Sequence, residues 1–329
     1  MKSKQELGGV IRQKGQAVLI VNTHSRKGEK LFQRALALLQ SRGIDVVASY
    51  PVKKPRYLRE AIQQVVEEGH TFIIVGGGDG TLNSVIDLFV HRDLVLGILP
   101  LGTANNFARS MGIPMNLEGA VDAIVKGKVV DVDVGTINDQ YFINVAAIGF
   151  SRDSITATPG RMKRYLGILS YFLYETKYLI SQDLFRCTIT LGTKTRVITT
   201  RQVLIMANGS FYGTRKFCPD AHIDNRTLII FMMDSVSRWQ GLKFWVGFFL
   251  GRHLMFPESR LYKTESAIIE TDPLKYVIIG DEKTIRTPIR VAIDPAAAKI
   301  MAPDSFHDHD ESKEDQTTCA GHPGKRVRG

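Results

Sequence analysis

The densest group of residues able to do chemistry is the run Gly76, Gly77, Gly78, Asp79, Gly80 and Thr81. It follows an apolar stretch and precedes an amphipathic one, so it reads as a turn between a strand and a helix. In that setting backbone N–H groups converge on phosphate oxygens, and the glycines let the phosphates come close. Asp79, at the tip, suits a magnesium ion, directly or through water, because phosphoryl transfer needs the phosphate charge neutralised. A plain glycine-rich turn is the bland alternative, yet four glycines around one aspartate exceed what a turn requires. The spacing matches neither the P-loop nor the dinucleotide fingerprint. A second loop, PLGTANNFAR, begins at Pro100 and offers Thr103, Asn105 and Asn106 beside a helix start; the competing reading makes Asn105 or Asn106 a helix cap. The third, VNTHSRKG, places Asn22, Thr23 and Ser25, with Arg26 and Lys27, where they can meet phosphates.

The elements around these loops explain why the loops belong together. Short aliphatic runs at AVLIV (17–21), VVAS (46–49), TFIIV (71–75) and LVLGILP (94–100) have the two-sided apolar character of buried parallel strands. Between them lie amphipathic helices. One carries Leu31, Phe32, Ala35, Leu38 and Leu39 on one face and ends near Gly43; another opens at Pro55 and carries Leu58, Ile62, Val65 and Val66. TLNSVIDLFVH is expected to continue the glycine turn as a helix, and EGAVDAIVKG supplies one more. The pattern predicts a doubly wound α/β domain over 1–128, with all three loops at the carboxyl edge of the sheet. From Val129 the chain turns to strand-like runs separated by turns, predicting a β-rich domain over 129–303. The polar segment 304–329 is expected to be disordered.

Lys and Arg outnumber Asp and Glu by 43 to 33, a net charge of +10, which favours an anionic partner. No nucleic-acid-binding signature accompanies that charge, so nucleic acid is set aside. Cys187, Cys218 and Cys319 are widely spaced, odd in number and without C-x-x-C spacing, which fits a reducing compartment and no structural zinc. There is no signal-peptide pattern and no run long enough to span a bilayer, so the expectation is a cytoplasmic chain with at most peripheral membrane contact. Two segments, 161–180 and 238–256, mix aromatic and basic residues in a way suited to a membrane interface or, equally, to a core helix with snorkelling cations. His222 and His253 are read as structural. Oligomeric state is open, with a homodimer allowed.

GGGDGT followed some twenty residues later by PLGTANNFAR resembles the diacylglycerol kinase catalytic-domain superfamily, which includes bacterial lipid kinases, sphingosine kinases and ceramide kinases. VNTHSRKG resembles that family's first nucleotide loop, GTRKFCPDAHIDNRTL its Pro-Asp-Ala segment, and GDEKTIRTPIRVAIDP its C-terminal glutamate motif. The resemblance implies an ATP- and magnesium (Mg2+)-dependent kinase, with an α/β domain, a β-sandwich-like domain and the active site between them. It implies ATP contacts at Asn22, Gly76 to Thr81 and Thr103, a magnesium-linked carboxylate at Asp79, and a general base at Glu282 acting on a lipid hydroxyl. Without the resemblance Glu282 is one charged residue in a turn. Departures accompany the match: Thr23 replaces a proline, and Asn106 replaces an aspartate. Gly280, Asp281 and Glu282 stand where Asp-Gly-Glu is usual, and Asn225 replaces a carboxylate of a second metal site. Two rivals follow: a soluble NAD-kinase-like enzyme, and a non-catalytic nucleotide- and lipid-binding member of the family.

Overall fold

The computed structural model describes residues 2–25, 28–149, 183–207, 211–212, 215–218, 221–234, 237–280 and 283–308. After helix α1 (Lys4–Lys14) the chain alternates strand and helix through β1 (Gln16–Asn22), α2 (Gly28–Ser41), β2 (Asp45–Val52), α3 (Pro55–Glu67) and β3 (Phe72–Gly77). It continues through α4 (Asp79–Asn83), β4 (Val95–Pro100), α5 (Asn106–Ser110) and α6 (Leu117–Lys126). The four strands lie parallel in the order β2-β1-β3-β4. Every residue of β3 and β4 is buried, as their unbroken apolar runs demand of strands covered by helices on both faces. Phe32, Ala35 and Leu39 of α2 and Leu58, Ile62 and Val65 of α3 are buried in the same core, the faces their periodicity marked.

The sequence leaves one element unassigned, and one expected helix is shortened. The N-terminal residues form α1, which the polar sequence conceals: Ser3 and Glu6 make a reciprocal capping box, and only Leu7 and Ile11, four apart, are buried. The helix expected over 81–91 stops at Asn83 and resumes as a single 3-10 turn at Ile86–Leu88. Arg59 of α3 takes the Ser84 carbonyl at 2.6 Å and forks onto Asp87 at 2.6 and 2.8 Å, so tertiary partners claim the groups a longer helix would use.

From β5 (Lys128–Ile137) the chain becomes mostly strand, with β6 (Gln140–Phe142), β7 (Val145–Ile148), β8 (Phe185–Leu191), β9 (Lys194–Thr200) and β10 (Val203–Met206). There follow the short pair β11 (Phe211–Tyr212) and β12 (Arg215–Lys216), β13 (Leu228–Met233), helix α7 (Arg238–Phe249), β14 (Ser259–Thr264), β15 (Ser266–Asp272), β16 (Tyr276–Ile279), β17 (Lys283–Arg286) and β18 (Ile289–Ala302). An antiparallel sheet in the order β14-β13-β10-β7-β16-β17 packs against strands β18, β15, β8 and β9 of the other sheet. Along β13 alternate residues serve two cores: Leu228, Ile230 and Met232 face the sandwich interior, while Ile229, Phe231 and Met233 face a cluster that includes Phe248 of α7.

Strand β18 belongs to both halves of the molecule. Ile289–Ala292 pair with β15 in the sandwich; Lys299 and Ile300 pair parallel with β4, completing the sheet that carries the glycine turn. The register shift between them contains Ala296 at φ 51° and is pinned by Asp133 of β5, whose carboxylate accepts from Ala296 N at 3.0 Å and Arg226 N at 2.6 Å. Beyond β18, Phe306 packs on the core of the first domain and Asp308 pairs with Lys4, while 309–329 lies outside the described residues.

Candidate active site

The strand order places the chemistry. With β1 between β2 and β3, successive connections run in opposite directions from β1, and ligands of such sheets bind outside the carboxyl ends at that switch. Strands β1, β3 and β4 are parallel and end at Asn22, Gly77 and Pro100, so the three polar loops meet at one edge.

Contact between them is close enough to dictate glycine. A Cβ on Gly102 would stand 2.5 Å from Gly78 Cα, and one on Gly77 would stand 2.4 Å from the Thr81 side chain. Both values lie below any real contact, and the first meets backbone that no rotamer change can move. Asn105 holds the second loop in shape. It adopts φ 51°, ψ 47°, which asparagine tolerates better than most residues. Its buried carboxamide accepts from Gly102 N at 2.9 Å and donates to Gly102 O at 3.0 Å. Asn22 ties the VNTHSRKG loop to the glycine turn, donating to Thr81 Oγ1 at 2.9 Å and accepting from His24 N at 3.1 Å.

Asp79 is the centre of the arrangement. Its Oδ2 accepts from Asn106 N at 2.9 Å, and its Oδ1 accepts from Phe107 N at 3.0 Å and from Asn144 Nδ2 at 2.9 Å. The first two bonds cap α5 from a distant part of the chain. Neither Asn105 nor Asn106 performs that cap: Asn105 makes no side-chain cap bond. The third bond reaches the segment leading into β7 of the sandwich. A carboxylate has about four lone-pair directions, so the three bonds leave Asp79 about one, on Oδ2, for a water or cation. Asn83, one helical turn further on, is buried and accepts from Ile143 N at 2.9 Å. Its amide also fills the space beside Gly280, where a Cβ would stand 2.7 Å from Asn83 Nδ2. Gly280, at φ 59°, directly precedes Asp281 and Glu282 in the sequence. Those two residues lie outside the described ones.

The remaining expected contacts are placed as follows. Gly76 sits beneath Leu101 and Val21, Ser25 and Thr103 are exposed, and Arg26 and Lys27 lie outside the described residues. Thr23 is buried against Gly28, and its Oγ1 has no partner among the described residues; the same holds for Asn106 Oδ1. Asn225 lies in the Ile223–Thr227 segment that Asp133 fastens to β5, a network separate from that of Asp79. Asn83 and Asn144 were absent from the sequence-derived site. Their signal was an amide interrupting an apolar run, in TLNSVIDL and in YFINVAAI, which reads from sequence as a tolerated defect.

Phosphate groups fit the edge. The glycines leave backbone without side-chain cover, the N–H groups of Asp79, Gly80 and Thr81 have no intrahelical acceptor, and Thr23 Oγ1 and Asn106 Oδ1 have unused hydrogen-bonding capacity. A magnesium ion fits more narrowly: among the described residues no group of three His, Cys, Asp or Glu side chains converges, so Asp79 would be a lone protein carboxylate beside phosphate oxygens and water.

The doubly wound sheet is joined through Asp79 and Asn83 to a β-sandwich, and each half matches a known domain family. Residues 16–137 match the diacylglycerol kinase catalytic domain, and residues 147–302 match the YegS C-terminal NAD kinase beta sandwich-like domain. An Enterobacter sp. (strain 638) protein named "Probable lipid kinase YegS-like" is 35% identical over 222 residues, covering 65% of this chain and 72% of that relative. A Staphylococcus epidermidis protein named "Diacylglycerol kinase" is 31% identical over 216 residues, covering 64% and 68%. The crystal structure of a diacylglycerol kinase from Bacillus anthracis superposes with a TM-score of 0.70 at 26% identity, covering 88% of this chain and 97% of that one. The chain belongs to this lipid kinase family, with the α/β and β-sandwich-like organisation that its sequence predicts.

Proposed function

We propose that the protein transfers the γ-phosphate of ATP to the hydroxyl of a diacylglycerol-like lipid at a membrane surface. The observation that carries the reading is the junction at Asp79 and Asn83: the glycine turn is hydrogen-bonded both to the neighbouring loop and to the sandwich, so phosphate-holding backbone and second domain form one site. Gly76 to Thr81 hold the phosphates through backbone N–H groups, with Thr23 and Thr103 at the flanks. Asp79 would hold magnesium through its remaining lone pair; the ion supplies charge neutralisation on the phosphates. Glu282, two residues after Gly280 in the sequence, takes the proton of the lipid hydroxyl as it attacks.

The test is incubation of the full chain with magnesium and radiolabelled ATP against diacylglycerol, monoacylglycerol, phosphatidylglycerol, sphingosine and ceramide in mixed micelles, followed by thin-layer separation. Labelled lipid from wild type and its loss in Glu282→Ala support the proposal. No labelled lipid with any acceptor overturns it. Retained ATP binding in that case supports the non-catalytic reading, which the crowding of Asp79 and the amides at Asn106 and Asn225 favour. Because the second matched domain carries an NAD kinase description, NAD is included as an acceptor, and labelling of NAD alone identifies a soluble kinase.

A further inference from the structure

Helix α7 is anchored on one side and unmatched on the other. It starts in a capping box between Ser237 and Gln240, and its inner face packs Phe248 on Phe217 with ring centroids 5.7 Å apart. His253, just beyond, donates from Nε2 to the Phe217 carbonyl at 2.7 Å. The segment is therefore held firmly on the outer face of the six-stranded sheet. Along the opposite face Trp239, Lys243, Val246 and Leu250 recur at steps of four, three and four residues, one stripe of a helix. Gly251, at φ 73°, then turns the chain so that Arg252, Leu254 and Met255 follow on an exposed turn.

The exposure is concentrated here. Among the described residues the three most exposed large apolar side chains are Met255 at 78%, Trp239 at 74% and Leu250 at 66%, and Val246 and Leu254 are exposed beside them. Large apolar groups gathered on one surface mark an interaction site. The cations Lys243 and Arg252 are interleaved with them in the sequence and are exposed too. Tryptophan and aliphatic groups beside Lys and Arg are what the boundary between headgroups and acyl chains accommodates. No described helix is long and apolar enough to cross a membrane, so the stripe suits lying on one.

We propose that the face formed by Trp239, Lys243, Val246, Leu250, Arg252 and Met255 docks on an anionic lipid surface, its apolar groups entering the headgroup–acyl boundary and its cations meeting lipid phosphates. A second copy of the chain fits less well, because a two-fold contact through this stripe brings Lys243 and Arg252 towards their own symmetry mates. Resting on the lipid-substrate reading above, such docking holds the second domain against the leaflet that supplies the acceptor.

The experiment is co-sedimentation of the full chain with vesicles of phosphatidylcholine alone or mixed with phosphatidylglycerol. Wild type binds the mixed vesicles more tightly. Trp239→Glu and Leu250→Glu each lower that affinity by about tenfold or more, the weight of leaving one such side chain in water. Lys243→Gln lowers it on the order of fivefold on anionic vesicles only. Leu274→Glu, at an exposed apolar residue elsewhere, leaves it unchanged. The chain has two tryptophans, and the vesicle-induced blue shift in fluorescence falls in Trp239→Phe, a variant that keeps the face apolar. Two results overturn the proposal: glutamate variants that bind vesicles as wild type does, or a wild-type dimer in sedimentation velocity that Trp239→Glu splits without changing vesicle binding. Phosphorylation of short-chain diacylglycerol in detergent micelles by wild type reports the reaction separately; its failure with vesicle binding intact removes the substrate reading and leaves the docking face standing.

Discussion

Replacing Asp79 by asparagine keeps the side chain's shape and changes only what it can accept. In the less costly orientation the amide oxygen stays at Oδ1, serving Phe107 N and Asn144 Nδ2, and an NH2 group takes the place of Oδ2 against Asn106 N–H. One bond to a charged acceptor is lost, typically about 1.5–3 kcal/mol. The negative charge at the start of α5 goes with it, about 0.3–1 kcal/mol. Asp79 is half-buried, so water recovers part of this, and the expected loss is about 2 kcal/mol of folding free energy. Urea unfolding of wild type and Asp79→Asn, followed by circular dichroism without nucleotide or metal, reads the effect directly. The condition matters: a residue whose only task is to hold magnesium would cost nothing there. A variant within about 0.5 kcal/mol of wild type, the usual spread for surface substitutions, refutes the assignment of Asp79 as the tie between the two loops and the sandwich.

Two further outcomes are expected. Gly102→Ala must push the second loop about 1 Å from Gly78 to relieve a 2.5 Å contact, and a misplacement of that size costs catalysis on the order of 100-fold, measured as kcat/KM for ATP, with wild-type secondary structure retained. Burial holds the His253 imidazole pKa below its ordinary value, outweighing the hydrogen bond to Phe217 O, which acts the other way. The unfolded chain then takes up a proton near pH 6.5 that the folded chain resists, so the stability this histidine contributes is full above that pH and declines as pH falls through the folded pKa. In urea midpoints measured from pH 7.5 downwards, the advantage of wild type over His253→Gln shrinks on acidification; an advantage that grows refutes the assignment.

Much of the fold was readable because burial writes itself into one dimension. The runs at 17–21, 72–75 and 95–99 are apolar without alternation because both faces of those strands are covered, and α2 and α3 show their buried faces at steps of three and four. The alternation in β13 was harder to recognise, since both faces of that strand are also buried and every position is apolar. The long helix expected after the glycine turn failed for a reason held in another element: Arg59 sits far back in the sequence, and nothing near Ser84 announces that its carbonyl is claimed.

At the site the same division holds. The glycines, Asp79 and the asparagines of the two neighbouring loops stood out because close backbone approach and short polar side chains leave few residue types to choose from. The sequence alone therefore marked three polar loops and the family, and the parallel strands were enough to put those loops on one edge. Only the tertiary structure decided what each side chain does there. Asp79 caps α5 and grips Asn144, Asn105 is turned back onto Gly102, and Asn83 joins the turn to Ile143 and Gly280. It alone showed that β18 returns to finish the first sheet after crossing the second domain. The physical reason is that residue type limits which hydrogen bonds and contacts a group can make, whereas the choice among available partners depends on which distant segments the folded chain brings within 3 Å.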